Sequence, residues 1–228
     1  MNVLAVDVGG SHVKLLRSGE TEPRRFDSGS KLTAQEMVDG VKQAADGWDY
    51  DAVTVGIPAP IHGGRLAADP VNLGKDWVGF DFQGAFGKPT KIVNDAAMQA
   101  VGSYDGGRML FLGLGTGLGS AVIDEGVVEP MELGHLPFRK KTFEDYVGAA
   151  ALKRGKKRWR KAVLETLDHF YRALEPDYVV LGGGNVDDLQ ELPPYARRGA
   201  NTNAFTGGFR LWQAPHDAPV KHGPTIAS

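Results

Sequence analysis

The stretch Asp7-Val-Gly-Gly-Ser-His-Val-Lys14 decides how this chain is read, because of what stands on either side of it. It follows the continuous apolar run Val3-Leu-Ala-Val6, of buried-strand type, and leads into Val13-Lys-Leu-Leu16, a second strand. Two glycines between two strands make a tight turn whose backbone N–H groups can approach an anion. A dinucleotide fingerprint or a P-loop needs a helix N-terminus directly after the glycines, and none is expected here. The turn is therefore either an ordinary hairpin or a phosphate cradle on a strand–turn–strand frame.

The same device recurs. Leu112-Gly-Leu-Gly-Thr-Gly-Leu-Gly-Ser-Ala121 lies between Met109-Leu-Phe-Leu112 and Ala121-Val-Ile123, again strand to strand. Between the two turns, the strand Lys91-Ile-Val93 ends at Asn94-Asp95. Two glycine turns with one carboxylate between them form the pattern of a site for phosphoryl transfer. Asp95 also stands where a helix N-cap would, and from the residues alone both roles stay open.

Working outward, Glu22 to Ser28 is polar and predicts a third, edge strand. Thr33-Ala-Gln-Glu36 reads as a capping box opening a helix with Met37, Val38, Val41, Ala44 and Ala45 on one face. Asp51 to Ile57 is a buried strand ending in Pro58-Ala-Pro60. Residues 61–89 show little periodicity and read as a long functional loop. After Asp95, Ala96 to Tyr104 predicts a helix. Thr142 through Leu152 predicts another, and 156–175 a longer one with Trp159, Val163, Leu167, Phe170, Tyr171 and Leu174 at helical spacing. Asp177 to Leu181 is a strand capped by Gly182-Gly-Gly184, and a last helix falls within 195–212. The segment from 213 to 228 is expected to be a disordered tail.

Each half thus opens with a hairpin on a glycine turn and continues with helix and strand. We expect a duplicated α/β fold, with one lobe over 1–95, a second over 96–212, a ligand cleft between them and a hinge over 95–105. The last helix is allowed a return to the first lobe. The 228 residues include 31 glycines, roughly twice the usual share of about 7%. The formal net charge is −2, which calls for neither nucleic acid nor a membrane surface. Cysteine is absent, so disulfides, thiolate metal sites and cysteine nucleophiles are excluded, and a cytoplasmic location is expected.

Asp7-Val-Gly-Gly-Ser11, Asn94-Asp95, Gly115-Thr-Gly-Leu-Gly119 and Glu132-Leu-Gly-His135 occur in the order found in the ROK family of sugar kinases. Thr142-Phe-Glu-Asp-Tyr-Val-Gly148 and Lys153-Arg-Gly-Lys-Lys-Arg-Trp159 resemble, more narrowly, the bacterial polyphosphate glucokinases. The resemblance covers about residues 2–212 and implies an actin/hexokinase-like two-lobe fold of the ribonuclease H-like class. It implies phosphorylation of glucose, or a close hexose, at the 6-hydroxyl, with polyphosphate or ATP as donor. Asp95 would be the general base. Asn94, Glu132, His135, Glu144 and Asn72 would bind the sugar, with Gly56 to Pro58 lining the same pocket. Gly9, Gly10, Ser11, Lys14, Gly115, Thr116, Gly117 and Gly183 would hold phosphates, and Asp7 would hold Mg²⁺ through water. A homodimer is also implied.

The spacing Glu-x-x-His would equally suit two metal ligands on a helix. The family's cysteine-rich zinc motif cannot exist here, so no zinc is expected. With a strand starting at residue 2 where regulators of the family carry a DNA-binding motif, nucleic-acid binding is not expected. His12 and Pro137 depart from the pattern, and Gly207-Gly208 is unusual within a helix. From Lys153 to Lys161, seven of nine residues are Lys or Arg. That run is either a solvated helix face or, through Lys153, Lys156, Lys157, Arg158 and Arg160, a polyphosphate track. Rival readings are a strictly ATP-dependent hexose or amino-sugar kinase, and a sugar sensor without turnover.

Overall fold

A computed structural model describes residues 1–200 and 202–213; the expected tail from 214 onward lies outside the described residues. The chain divides into two compact units, one of residues 1–102 with 202–213 and one of residues 103–201.

The first unit contains β1 (Val3–Val8), β2 (His12–Arg17), β3 (Arg24–Asp27), α1 (Ala34–Ala44), β4 (Ala52–Ile57), β5 (Ile61–His62), β6 (Arg65–Leu66), α2 (Phe82–Phe86), β7 (Thr90–Asn94) and α3 (Asp95–Ser103). Its five-stranded sheet has the order β3-β2-β1-β4-β7. β1, β2 and β3 pair antiparallel, while β1, β4 and β7 run parallel. Because these three are parallel, their C-terminal ends lie along one edge of the sheet. The edge strand β3 and the helix α1 follow the polarity and apolar spacing of the sequence. The capping box forms: Glu36 N–H donates to Thr33 Oγ1 at 3.3 Å, and Thr33 N–H donates to Glu36 Oε2 at 2.9 Å. Met37, Val38 and Val41 are buried in one core with Leu4, Val6, Val53 and Val55.

Residues 61–89 are not the open loop their composition predicts. Trp77 is fully buried. Its backbone N–H, with that of Val78, donates to Asp69 Oδ1 at 2.9 and 3.1 Å, and its indole donates to Leu32 O at 3.1 Å. Leu66, Leu73, Phe82 and Phe86 join it in the core. Burying one such side chain contributes about 1.5–3 kcal/mol, enough to order a segment that lacks a repeating pattern.

The second unit contains β8 (Arg108–Leu114), β9 (Leu118–Asp124), β10 (Val127–Met131), a 3₁₀ turn at Leu133–His135, β11 (Pro137–Phe138), β12 (Lys141–Thr142), α4 (Phe143–Val147), α5 (Ala149–Arg154), α6 (Lys156–Leu174), β13 (Tyr178–Gly182) and β14 (Ala196–Arg198). Its sheet has the order β10-β9-β8-β13-β14, with β8, β9 and β10 antiparallel and β8, β13 and β14 parallel. This is the topology of the first sheet repeated. The single helix expected over Thr142–Leu152 is instead two, broken at Gly148. There a Cβ would lie 2.4 Å from Thr116 O, so the chain bends to press against the second glycine turn. Trp159, Val163, Leu167 and Phe170 bury one face of α6, as their spacing predicts. The last helix, α7 (Asn203–Arg210), packs on β1 and β4 of the first unit. Among the described residues, no helix is long and apolar enough to cross a membrane.

Candidate active site

In the first unit the aligned ends of β1, β4 and β7 bring together the glycine turn, Gly56 to Pro58, and Asn94-Asp95. The turn is closed by Gly9 N–H donating to His12 O at 3.0 Å, and Ser28 donates through its hydroxyl to Gly9 O at 2.6 Å. A Cβ at Gly10 would lie 3.6 Å from Asn72 Cβ, so the ordered 61–89 segment delivers the exposed Asn72 to this turn. His12 does not lean over the turn. It pairs across the sheet with Asp27 on β3, Nε2 to Oδ1 at 3.5 Å. Lys14 is exposed and stands opposite Asp7 in the β1–β2 register.

Asp7 is half-buried, and loss of hydration pushes its carboxyl above the usual range, with the Lys14 charge pulling the other way. Among the described residues no hydrogen-bond donor reaches that carboxylate. A divalent cation fits such a group: Mg²⁺ is commonly held by one or two carboxylates, with phosphate oxygens and water completing its shell.

Both Asn94 and Asp95 accept from backbone N–H groups at the head of α3. Asn94 Oδ1 accepts from Ala97 N–H at 3.1 Å at the head of α3, and Asn94 Nδ2 donates to Ala59 O at 3.2 Å. Asp95 is the first residue of the helix, half-buried, and its Oδ1 accepts from Ala96 N–H at 2.8 Å. Beneath it, Gly56 leaves room for Met98: a Cβ there would lie 2.4 Å from Met98 Cε and 3.4 Å from Asp95 Cα.

In the second unit the turn Gly115-Thr-Gly117 follows β8, and Gly182-Gly-Gly184 follows the parallel β13 at the same edge. Gly183 takes a φ of 88°, and a Cβ would lie 2.4 Å from Leu114 O, so only glycine fits. Two residues on, Asn185 donates from Nδ2 to Gly115 O at 3.0 Å and fixes the turn. Thr116 is exposed at the tip.

Glu132, His135 and Glu144 converge. His135 Nδ1 lies 3.5 Å from Glu132 Oε2, and its Nε2 lies 3.7 Å from Glu144 Oε1. Ser120, which sequence reasoning missed, is buried on β9; it accepts from Leu133 N–H at 3.2 Å and donates to Met131 O at 2.7 Å. It ties the Glu132–His135 turn to the strand that leaves the glycine turn. Gly117 is the other link, because a Cβ there would lie 2.5 Å from Glu144 Oε2. Pro137 begins the β11–β12 hairpin opposite Thr142. Among the described residues no group of three or more His, Cys, Asp or Glu side chains could hold a metal ion, this cluster included.

The basic run divides. Lys156 pairs with Asp188 and Arg160 donates to Asp188 O at 2.6 Å, while Arg154 donates to Asp145 O at 2.7 Å. Lys153, Lys157 and Arg158 are exposed, with no such partner among the described residues.

No family model matches the chain. Over 203 residues it is 28% identical to a polyphosphate glucokinase of Mycobacterium tuberculosis, covering 80% of this chain and 72% of that protein. The inorganic polyphosphate/ATP-glucomannokinase of Arthrobacter sp. strain KM matches in structure with a TM-score of 0.79 at 22% identity, over 91% of this chain and 96% of that one. A ROK family glucokinase from Streptomyces griseus, solved with glucose and AMPPNP, matches with a TM-score of 0.74 at 17% identity, over 92% and 99%. The chain has the fold of the ROK sugar kinases and, in sequence, is similar to polyphosphate glucokinases.

Proposed function

We propose that this protein is a sugar kinase that transfers a phosphoryl group to the 6-hydroxyl of glucose, or a close hexose, from polyphosphate or ATP. The observation that carries the reading is the sheet edge of the first unit, where a glycine turn, a poorly solvated carboxylate and Asn94-Asp95 stand at the ends of three parallel strands. Asp95 takes the proton of the attacking hydroxyl as its oxygen bonds to the terminal phosphorus. The bridging P–O bond breaks, and the shortened donor leaves with that electron pair. A positioned base of this kind is worth about 10²–10⁴-fold.

Asn94 orients the acceptor beside Asp95, and Asn72 approaches from the neighbouring segment. Gly9, Gly10 and Ser11 present donors to the transferring phosphate, with Lys14 nearby. Asp7 would hold Mg²⁺, which when bound neutralises charge on the phosphate oxygens. From the second unit, Glu132, His135 and Glu144 bind sugar hydroxyls, since carboxylates accept and imidazole both donates and accepts. Gly115, Thr116, Gly117 and Gly183 present backbone and hydroxyl groups to the donor.

Polyphosphate is favoured as donor. After Gly184 the described chain of the second unit offers only a 3₁₀ turn and β14, little from which to build an adenine cradle. α5 starts against the second glycine turn, with Ala149 N–H donating to Gly115 O at 2.9 Å, and leads to Lys153, Lys157 and Arg158. These three, more than the Asp188-bound Lys156 and Arg160, form the polyanion track. Its affinity should fall steeply with salt, as polyanion binding does. The resemblance further supports a cytoplasmic homodimer, which light scattering tests for assembly.

The deciding experiment crosses a panel of hexoses with ATP, GTP and polyphosphate and reads phosphorylated sugar. Product from glucose is expected, and no product from any pair would sink the reading. Replacing Lys153, Lys157 and Arg158 together with Gln should weaken polyphosphate use and leave ATP use alone; unchanged polyphosphate kinetics would remove the track.

A further inference from the structure

The Gly207-Gly208 pair in α7 has no part in the proposed chemistry, yet its surroundings are tightly specified. A Cβ at Gly207 would lie 1.8 Å from Met98 O, one at Gly102 1.8 Å from Asn203 O, and one at Gly208 2.7 Å from Ala5 Cβ. α7 therefore meets α3 backbone to backbone, with β1 directly beneath. Side chains lock this placement. Thr54, fully buried on β4, donates its hydroxyl proton to Gly208 O at 2.8 Å and accepts from Trp212 Nε1–H at 2.8 Å. Lys91 Nζ donates to Leu211 O at 2.6 Å and lies 4.5 Å from the centre of the Trp212 ring. Arg210 donates to Val101 O at 2.9 Å and Gly102 O at 3.3 Å, near the end of α3.

These contacts lie one step from the acidic groups. Ala5, Thr54 and Lys91 are register partners across β1, β4 and β7. The next row on the same face of the sheet is Asp7, Gly56 and Val93, and Asp95 follows β7. Met98 is the shared piece: its carbonyl abuts Gly207, and its thioether fills the space over Gly56, beside Asp95 Cα.

We infer that α7 positions Asp95: the Thr54–Gly208–Trp212 linkage sets where α3 sits on the sheet and so where the carboxylate at its first turn is held. The inference rests on Asp95 being the base. Thr54, Trp212 and Arg210 are positioning residues, with no contact to the reacting atoms. A displacement of about 1 Å at a reacting group can cost on the order of 10²-fold in rate.

The test is Thr54→Val, nearly isosteric and unable to make either hydrogen bond, beside Trp212→Phe. Trp48→Phe is the control, since that ring lies under Arg24 instead, at 3.9 Å. Both test variants should lower kcat about tenfold or more while the sugar KM stays within twofold. Amide hydrogen exchange over residues 95–102 should quicken, with β8 and β9 unchanged. A folded Thr54→Val protein with wild-type kcat and wild-type exchange in α3 would overturn the inference. So would equal losses in kcat and sugar affinity with faster exchange throughout, the mark of general destabilisation. If the wild-type protein phosphorylates no sugar, the kinase reading falls instead, and the exchange result still decides whether α7 holds α3.

Discussion

The two sheets repeat one topology, yet two residues before its turn glycine the first places Asp7 where the second places Gly113. Asp7 stands opposite Lys14 and Gly56; Gly113 stands opposite Gly119 and Gly182. The last parallel strand of the first sheet runs into Asn94-Asp95 and a helix, whereas that of the second ends at Arg198 and continues into Gly199. A repeated frame has thus been given different chemistry by side chains at strand ends. On the reading proposed above, the carboxylates assigned to proton transfer and to Mg²⁺, Asp95 and Asp7, are both on the first unit. Neutral backbone donors, with a Glu–His–Glu cluster beside them, collect on the second. The scaffold supplies the edge; a few residues supply the reaction.

Breaking the comparison at its most charged point should give the largest effect. Asp95→Asn is expected to lower kcat by about 10²–10⁴-fold with sugar binding nearly intact, measured by turnover and calorimetry. Wild-type turnover in that variant would show that the division of labour is wrong.

Asp7→Asn should cut turnover by roughly a hundredfold and yet stabilise the fold at neutral pH. The folded state holds the Asp7 proton more tightly than the unfolded chain, whose carboxyl has the ordinary value of 3.8. Stability from this group is therefore fully present below that value and is lost as pH rises through the raised folded value. Melting curves in metal-free buffer should show the gain from Asp7→Asn at pH 7 shrinking as the solution is acidified. A variant less stable than wild type at pH 7 would contradict the burial argument.

Two neighbouring glycines sharpen the second unit's role. Gly117→Ala pushes the Glu144 carboxylate aside and should lower sugar kcat/KM by about tenfold, the scale of one weakened charged hydrogen bond. At Gly115 nothing lies within 4 Å of an added Cβ, so Gly115→Ala should leave sugar KM unchanged and act only on the donor. Equal sugar kinetics in the two variants would detach Gly117 from Glu144.

The smallest effects come from capping residues. Thr33→Ala and Thr142→Ala should each cost about 1 kcal/mol in denaturant unfolding. Thr142 N–H and hydroxyl both donate to Asp145 Oδ2, at 3.1 and 2.8 Å, at the head of the helix that carries Glu144. Its loss should therefore also raise sugar KM, while Thr33→Ala leaves kinetics unchanged.

What could be read from the chain was local. Apolar runs flanking glycines gave both hairpins, and Thr33 with Glu36 marked the start of α1. The residues that needed distant partners were illegible. Trp77 looked like part of a loop because its partners, Asp69 and Leu32, are a side chain and a carbonyl with no periodic signature. Gly148 looked helical until the Thr116 carbonyl came within reach of where its Cβ would be. Asn94 escaped notice as a cap because its bond to Ala97 N–H depends on the helix starting at Asp95, a boundary the residues do not fix to one position. Ser120 was hidden in the glycine turn's own exit strand, where a small residue attracts no notice. The β14 strand was missed because Ala196-Arg-Arg198 has no strand character apart from its pairing with β13.

The return of α7 also has a temporal side. Thr54 and Gly208 are separated by 154 positions, and Thr54 and Trp212 by 158, with the whole second unit between them. On a ribosome the second unit is completed before the helix that finishes the first has been made. The first sheet must wait with Ala5 and Thr54 uncovered while about a hundred residues are added, some 5–20 s at typical elongation rates. Proteolysis of stalled nascent chains would see this as a late-closing first unit behind an early-closing second.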